Sequence, residues 1–261
     1  MSTFHPVQPA TVLITGGSEG IGRGLAARYL AAGSEVLITG RSAEKLEKAA
    51  FELPQLRAFV NDIGKPEERE ALASHVQSQL PGLNVVINNA GIQRRVSLAS
   101  DMGTWPERQA EIDILLSAPM HLNHLLIPLM LRSNKPGMIV NVTSGGAFVP
   151  QVFAPIYSAC KAALHSYTVT LRHALEGTSL RVVELVPPAI RTALAGPGAT
   201  HGAPLDQFCD SVFERLQRGD SKVIGFGPTD TPEFRQMLEV AEPFFEASAA
   251  RFPVATYSES R

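Results

Sequence analysis

Apolar residues along this chain fall into two patterns: short unbroken runs, and longer stretches in which they recur every three or four positions. Thr11–Thr15 is a run of the first kind, and beyond it Leu25, Ala26, Tyr29 and Leu30 recur at helical spacing. The pair repeats. A strand over 35–39 precedes a helix holding Leu46 and Ala49, and a strand over 56–60 precedes a helix over 66–80. Further strands are predicted over 83–87, Gly137–Val142, Leu180–Val186 and 222–226, with helices over Trp105–Arg132, 156–176 and Leu205–Arg218. The long Trp105–Arg132 stretch is apolar enough to be buried against the sheet and a partner subunit. From Glu233 onward Phe234, Leu238, Ala241 and Phe245 mark one more helical face, which needs a cover from the chain itself or from a second copy. Strands apolar on both faces, alternating with helices, predict an α/β fold: a single doubly wound parallel sheet in three layers. No repeat or linker divides the chain, so 1–261 reads as one domain. A small Gly-, Pro- and Ala-rich loop at about 191–204 suits the mouth of a pocket, and a helical tail runs from about 232 to 261.

Composition narrows the function classes. Hydrophobic residues make up 44% and charged residues 18%, an ordinary globular balance, and the formal charge of −2 comes without any basic run. Neither nucleic acid nor an anionic membrane has an electrostatic case. No apolar run is expected to reach the roughly 20 residues of a membrane span, and the first ten residues lack the basic start and apolar stretch of a secretory signal. The two cysteines, Cys160 and Cys209, make no disulfide framework, which fits a reducing cytoplasm. His121 and His124 could share a helix face, but no third ligand is evident and no metal site is expected.

Three stretches carry chemistry. Gly16-Gly17-Ser18-Glu19-Gly20-Ile21-Gly22 lies between the first strand and the first helix. Glycines there let the backbone approach a phosphate, and a helix N-terminus favours its charge; a plain structural turn is the alternative. Arg41 follows the second strand, where dinucleotide-binding folds read the adenine ribose, and an arginine suits a 2′-phosphate. NADP(H) is therefore expected rather than NAD(H), with Glu19 placed where it could oppose that phosphate. Tyr157 and Lys161 are four apart on a predicted helix, so a cation would meet a phenol and favour its ionised form; a surface tyrosine and lysine at that spacing is the alternative. Ser144 follows the fifth strand, at the sheet end where ligands of open parallel sheets bind.

Taken together, the glycine turn, Asn88-Asn89-Ala90-Gly91 after the fourth strand, Ser144 and Tyr157-x-x-x-Lys161 resemble the classical short-chain dehydrogenase/reductase family over nearly the full length. The resemblance implies a Rossmann-type sheet and a carbonyl–alcohol oxidoreductase acting on a small molecule as a homodimer or homotetramer. It implies that Tyr157 exchanges a proton with the substrate oxygen, that Ser144 positions that oxygen, and that Lys161 lowers the tyrosine pKa and holds the nicotinamide ribose. It further implies cofactor contacts from Gly16, Ser18, Glu19, Gly20, Ile21 and Gly22 in the turn. Asp62 would meet adenine, Asn89 its ribose, and Ile190 and Thr192 the carboxamide. Three positions depart from the family pattern: Leu115 where an asparagine is usual, Pro188 in place of a frequent glycine, and Glu19. Leu115 has no side-chain hydrogen bond to offer, although its carbonyl could hold a water if the helix bends. A cofactor-binding sensor without turnover is the rival reading. Gln93, Arg94, Arg95, Gln151, Phe153 and the loop over 194–204 are expected at the entrance, where the arginines suit an anionic substrate or are simply solvated.

Overall fold

A computed structural model of the chain describes residues 9–196, 201–219 and 221–259. The strands are β1 (Thr11–Thr15), β2 (Glu35–Gly40), β3 (Arg57–Val60), β4 (Val85–Asn88), β5 (Gly137–Val142), β6 (Leu180–Val186) and β7 (Val223–Gly225). The helices are α1 (Gly20–Ala31), α2 (Ala43–Glu52), α3 (Pro66–Gln79), α4 (Trp105–Ile112), α5 (Ala118–Ser133), α6 (Pro155–Ala174), α7 (Leu205–Arg218) and α8 (Pro232–Arg251). All seven strands pair in parallel in the order β3-β2-β1-β4-β5-β6-β7, so the winding reverses between β1 and β4. In such sheets that reversal opens a crevice beyond the strands' carboxyl ends.

Side-chain alternation along each strand builds the three layers. Val12 and Ile14 of β1 join Leu25 and Tyr29 of α1, Leu46 of α2, and Phe208 and Val212 of α7. Leu13 points the other way, into a cluster with Leu72 and Val76 of α3, Leu122 and Leu126 of α5, and Leu171 of α6. Each of these leucines is 5% exposed or less, and complete burial of such a side chain is worth about 1.5–3 kcal/mol. Each helix is thus held to one face by its own apolar stripe.

The predicted long helix is bent. Thr104 and Glu107 close a capping box at the start of α4, but Asp113–Ser117 widens into a π-helical turn before α5 begins. The Ala118 amide reaches back to the Asp113 carbonyl there. Pro119 explains the widening: it has no N–H for the Leu115 carbonyl, and its ring would crowd that oxygen in a regular helix. The continuous Trp105–Arg132 helix has a window of mean hydropathy 1.5, which corrects the expectation that no stretch is long and apolar enough to cross a membrane. Burial accounts for that composition, since 56% of the window is inside the protein and Leu122, Leu126, Ile127 and Met130 pack on the sheet.

The tail is covered by the chain only at its start. Phe234 of α8 is buried and meets Phe148 edge-on at 5.2 Å, while Leu238, Ala241 and Phe245 face the body across a cavity. The N-terminal stretch over 1–8 read for a leader, positions 197–200 of the pocket loop, and 260–261 of the tail lie outside the described residues.

Candidate active site

The glycine turn is shaped by packing. Gly16 has φ +64°, and a Cβ on it would stand 2.7 Å from the Ala90 Cα. One on Gly17 would stand 2.4 Å from Ile38 Cγ2, and one on Gly22 2.4 Å from the Gly16 carbonyl oxygen. Asn89 ties the turn to the end of β4, donating from Nδ2 to the carbonyls of Thr15 (3.0 Å) and Gly16 (2.9 Å). α1 then starts with no side-chain cap from Glu19 and no acid in its first turn. Its leading amides and the positive end of its dipole are left for an anion, as a dinucleotide pyrophosphate requires. Gly20 lies under Thr192, whose Cγ2 would be 3.4 Å from an added Cβ, and Ser18 lies against Gly40, next to Arg41.

Glu19 does not face this anion site unpaired. Both of its carboxylate oxygens accept from Lys45 Nζ at 3.0 Å in an exposed ion pair. Arg41 is exposed just beyond β2. Asp62, past β3, uses Oδ1 to accept from the Gly64 amide at 3.1 Å.

Across the crevice β5 delivers Ser144 and α6 delivers Tyr157 and Lys161, all three less than 8% exposed. Ser144 and Tyr157 face each other in the crevice, and the Ser144 Oγ accepts from the Gly146 amide at 3.1 Å. The Lys161 ammonium donates to the Val142 carbonyl at 2.6 Å and lies 5.7 Å from the centroid of the Tyr157 ring. Burial raises the tyrosine pKa above its ordinary value, the Glu111 charge pushes the same way, and the Ser144 hydroxyl pulls it down. The direction set by desolvation is opposite to the lowering expected from Lys161, which is not among the causes of this shift. The same burial brings Lys161 down to about 8.

These groups line a cavity of about 330 Å³ with Ile21, Asn89, Gln93, Arg95, Gln151, Phe153, Pro188, Ile190 and Thr192. Arg94, Arg41 and Asp62 do not line it. A larger cavity, about 800 Å³, lies between α6, β7 and α8, but none of the candidate catalytic or cofactor-binding residues lines it. The smaller one gathers the candidate reactive groups. Leu115, 1% exposed, packs with Ala154, Tyr157 and Cys160. With Lys161, Thr15 and Asn88 it also borders a space of about 10 Å³, roughly one water. Among the described residues no cluster of metal-ligating side chains occurs around His121 and His124 or elsewhere.

Sequence reasoning passed over three buried polar groups. Asn88 donates to Asn123 (2.9 Å) and Asn141 (2.8 Å), which in turn donates to Thr168 (3.0 Å), bracing β4 and β5 against α5 and α6. Glu184, wholly buried in β6, accepts from Thr143 at 2.8 Å and pairs with His165 at 2.9 Å. Glu111, 1% exposed on α4, accepts from the Arg94 amide at 3.2 Å. For Glu184, a lone acid in the apolar β6 run, that isolation was the available signal, whereas Glu111 lies in a polar segment that gave none.

Residues 10–201 match the model of the short chain dehydrogenase family. The chain belongs to that family. It is 44% identical over 219 residues to the uncharacterized oxidoreductase DltE of Bacillus subtilis, covering 82% of this chain and 86% of that protein. It is 31% identical over 221 residues to 1-deoxy-11-beta-hydroxypentalenate dehydrogenase of Streptomyces avermitilis, covering 80% and 82%. In fold it resembles a short-chain dehydrogenase from Sphingobium yanoikuyae solved with NADPH, with TM-score 0.80, 23% identity and coverage of 95% and 99%. A short-chain dehydrogenase from Burkholderia cenocepacia solved with NADP gives TM-score 0.74 and 24% identity, with the same coverage.

Proposed function

We propose that the chain is an NADP(H)-dependent oxidoreductase interconverting a carbonyl and an alcohol, or an imine and an amine. The observation that carries this reading is the convergence of Ser144, Tyr157 and Lys161 on one cavity, which opens between β5, α6 and the glycine turn. NADP(H), when bound, would supply or accept the hydride. The turn residues Gly16, Ser18, Glu19, Gly20, Ile21 and Gly22 would hold its pyrophosphate end, and Asp62 and Asn89 its adenosine. Arg41 would meet the 2′-phosphate, with Glu19 paired to Lys45. Ile190 and Thr192 would hold the carboxamide. The dinucleotides named with the two solved relatives support this choice.

For reduction, the raised Tyr157 pKa keeps the phenol protonated at neutral pH, the form that donates to the developing alkoxide. Ser144 donates a hydrogen bond to that oxygen, and one such donor is worth about 3 kcal/mol of transition-state stabilisation. Lys161, brought to about 8, can pass a proton at near-neutral pH. The Leu115 carbonyl, to which Pro119 has no N–H to offer, and the water-sized space beside Lys161 offer a route for its resupply where the family's asparagine is missing. The chain would work in the cytoplasm, consistent with two buried free cysteines, as a homodimer or homotetramer.

Replacing Tyr157 by Phe is expected to lower turnover about 10²- to 10⁴-fold while NADPH binding, followed by fluorescence titration, stays within a factor of two. Unchanged turnover across ketones, aldehydes and imines would overturn the assignment. Tight NADPH binding by the wild type with no turnover of any of them would favour the sensor.

A further inference from the structure

The two arginines after β4 have separate fates. Arg94 is committed to the protein: its guanidinium meets Asp101 at 3.4 Å, and its amide donates to Glu111. Asp101 is 5% exposed and also binds Arg108 at 2.9 Å and the Gly103 amide at 2.9 Å, so Arg94 is tied into an ion-pair cluster away from the cavity. Arg95 lines the 330 Å³ cavity, and its guanidinium lies over the Phe153 ring, 4.5 Å from the centroid. Among the described residues no carboxylate pairs with Arg95.

This rim is a built feature. The Val96 amide donates to the Phe153 carbonyl at 2.9 Å, and Gln93 Nε2 donates to Gln151 Oε1 at 3.1 Å. The loop after β4 and the loop before α6 are thereby joined on either side of Arg95. Gln151 is fixed in turn by Ser158, whose hydroxyl accepts from its amide at 3.0 Å. A guanidinium stacked by its face keeps its N–H donors in the plane of its edge, where they fit the two oxygens of a carboxylate. The charges around it have one sign: Arg95 and Lys161 line the described cavity, and no Asp or Glu does. Glu111 interacts with Tyr157 but is absent from the lining.

We propose that the substrate is a small carboxylate-bearing carbonyl compound, held with its carbonyl at Ser144 and Tyr157 and its carboxylate on the edge of Arg95. This rests on the oxidoreductase reading above. The reaction balances as oxo acid plus NADPH plus H⁺ giving hydroxy acid plus NADP⁺. The carbonyl carbon gains a hydride, the oxygen gains the proton of Tyr157, and the carboxylate takes no part in bond making. Arg95 acts through recognition of the charge, and its effect belongs in KM.

Acetoacetate and 4-oxopentanoate, their methyl esters, and dihydroxyacetone phosphate provide the test, with NADPH oxidation as the readout. The acids are expected to exceed their esters in kcat/KM by about ten- to hundredfold, the worth of one charge-assisted hydrogen-bonded pair. Arg95→Gln should erase that ratio through KM, Arg95→Lys should restore part of it, and Arg94→Gln should preserve it. Equal use of acids and esters, a ratio insensitive to Arg95→Gln, or preference for the phosphate would overturn the proposal while leaving an active oxidoreductase. Independently of turnover, the NADP⁺-loaded protein is expected to bind butyrate more tightly than butyramide by calorimetry, with the difference lost in Arg95→Gln. Equal binding of the two in the wild type overturns the carboxylate site even if every carbonyl compound fails to react. Failure of turnover together with intact butyrate selectivity instead counts against the oxidoreductase reading and for the anion site.

Discussion

Lys161 has its ammonium on the Val142 carbonyl and its stem inside the protein, and burial sets its pKa at about 8 against an ordinary 10.5. Below pH 8 both folded and unfolded chains carry the proton, so the burial penalty is constant. Between about 8 and 10.5 the unfolded lysine holds a proton that the folded one has released, and stability rises with pH. Tyr157 acts in the opposite sense only above its ordinary value of 10, where the unfolded phenol ionises first. Urea denaturation is therefore expected to show wild type gaining about 2–3 kcal/mol relative to Lys161→Met between pH 7.5 and 10. A constant difference would mean that the lysine is not desolvated. Arg41 supplies a second test at this scale. Exposed beyond β2 with Ser18 and Gly40 beside it, it should discriminate cofactors, so Arg41→Ala is expected to weaken NADPH about ten- to hundredfold and NADH hardly at all. Equal losses in fluorescence titration would reduce it to a surface charge.

Among the elements, the α1–α7 contact shows how closely the helix layer is fitted. A Cβ on Gly24 of α1 would stand 2.5 Å from the Sγ of Cys209 on α7, so the two helices approach over a missing side chain. Gly24→Ala is expected to cost about 1–3 kcal/mol through overpacking, despite the better helix propensity of alanine. Removing the sulfur with Cys209→Ala should recover most of that loss in the double variant, giving a coupling above about 1 kcal/mol by chemical denaturation. Additive losses would show that α7 moves aside freely. Both residues were visible in the sequence, but their separation of 185 positions hid the contact. The strand–helix alternation was legible because Val12, Leu13 and Ile14 feed opposite layers of one sheet, a pattern that local periodicity records. The π-helical turn at Asp113–Ser117 was not legible, because whether Pro119 kinks, ends or widens a helix depends on what packs around it.

On the scale of the whole molecule, the sheet gathers the sequence's separate signals at one edge. Thr15, Asn88, Val142 and Val186 end adjacent strands, and the glycine turn, Asn89, Ser144 and Pro188 follow them into one crevice. The chain also exposes Leu98 (74%), Met102 (93%) and Trp105 (63%) together before and at the start of α4. Apolar exposure of this kind is the ground on the protein surface for expecting self-association. Sedimentation velocity is expected to resolve a species of two or four 28.0 kDa chains; a single monomeric boundary at micromolar concentration would overturn the oligomer.

What the sequence determined by itself is the class of fold and the candidates for the reactive groups. Strand and helix periods are local, and a glycine turn, Ser144 and the Tyr157–Lys161 spacing each advertise a chemistry within a few residues. The tertiary structure alone decided the electrostatics. Burial raised the tyrosine that its neighbouring lysine was expected to lower, Lys45 paired with Glu19, and Asp101 claimed Arg94 while Arg95 was left facing the cavity. The physical reason is that desolvation and ion pairing depend on distances between segments remote in sequence, which no local pattern encodes.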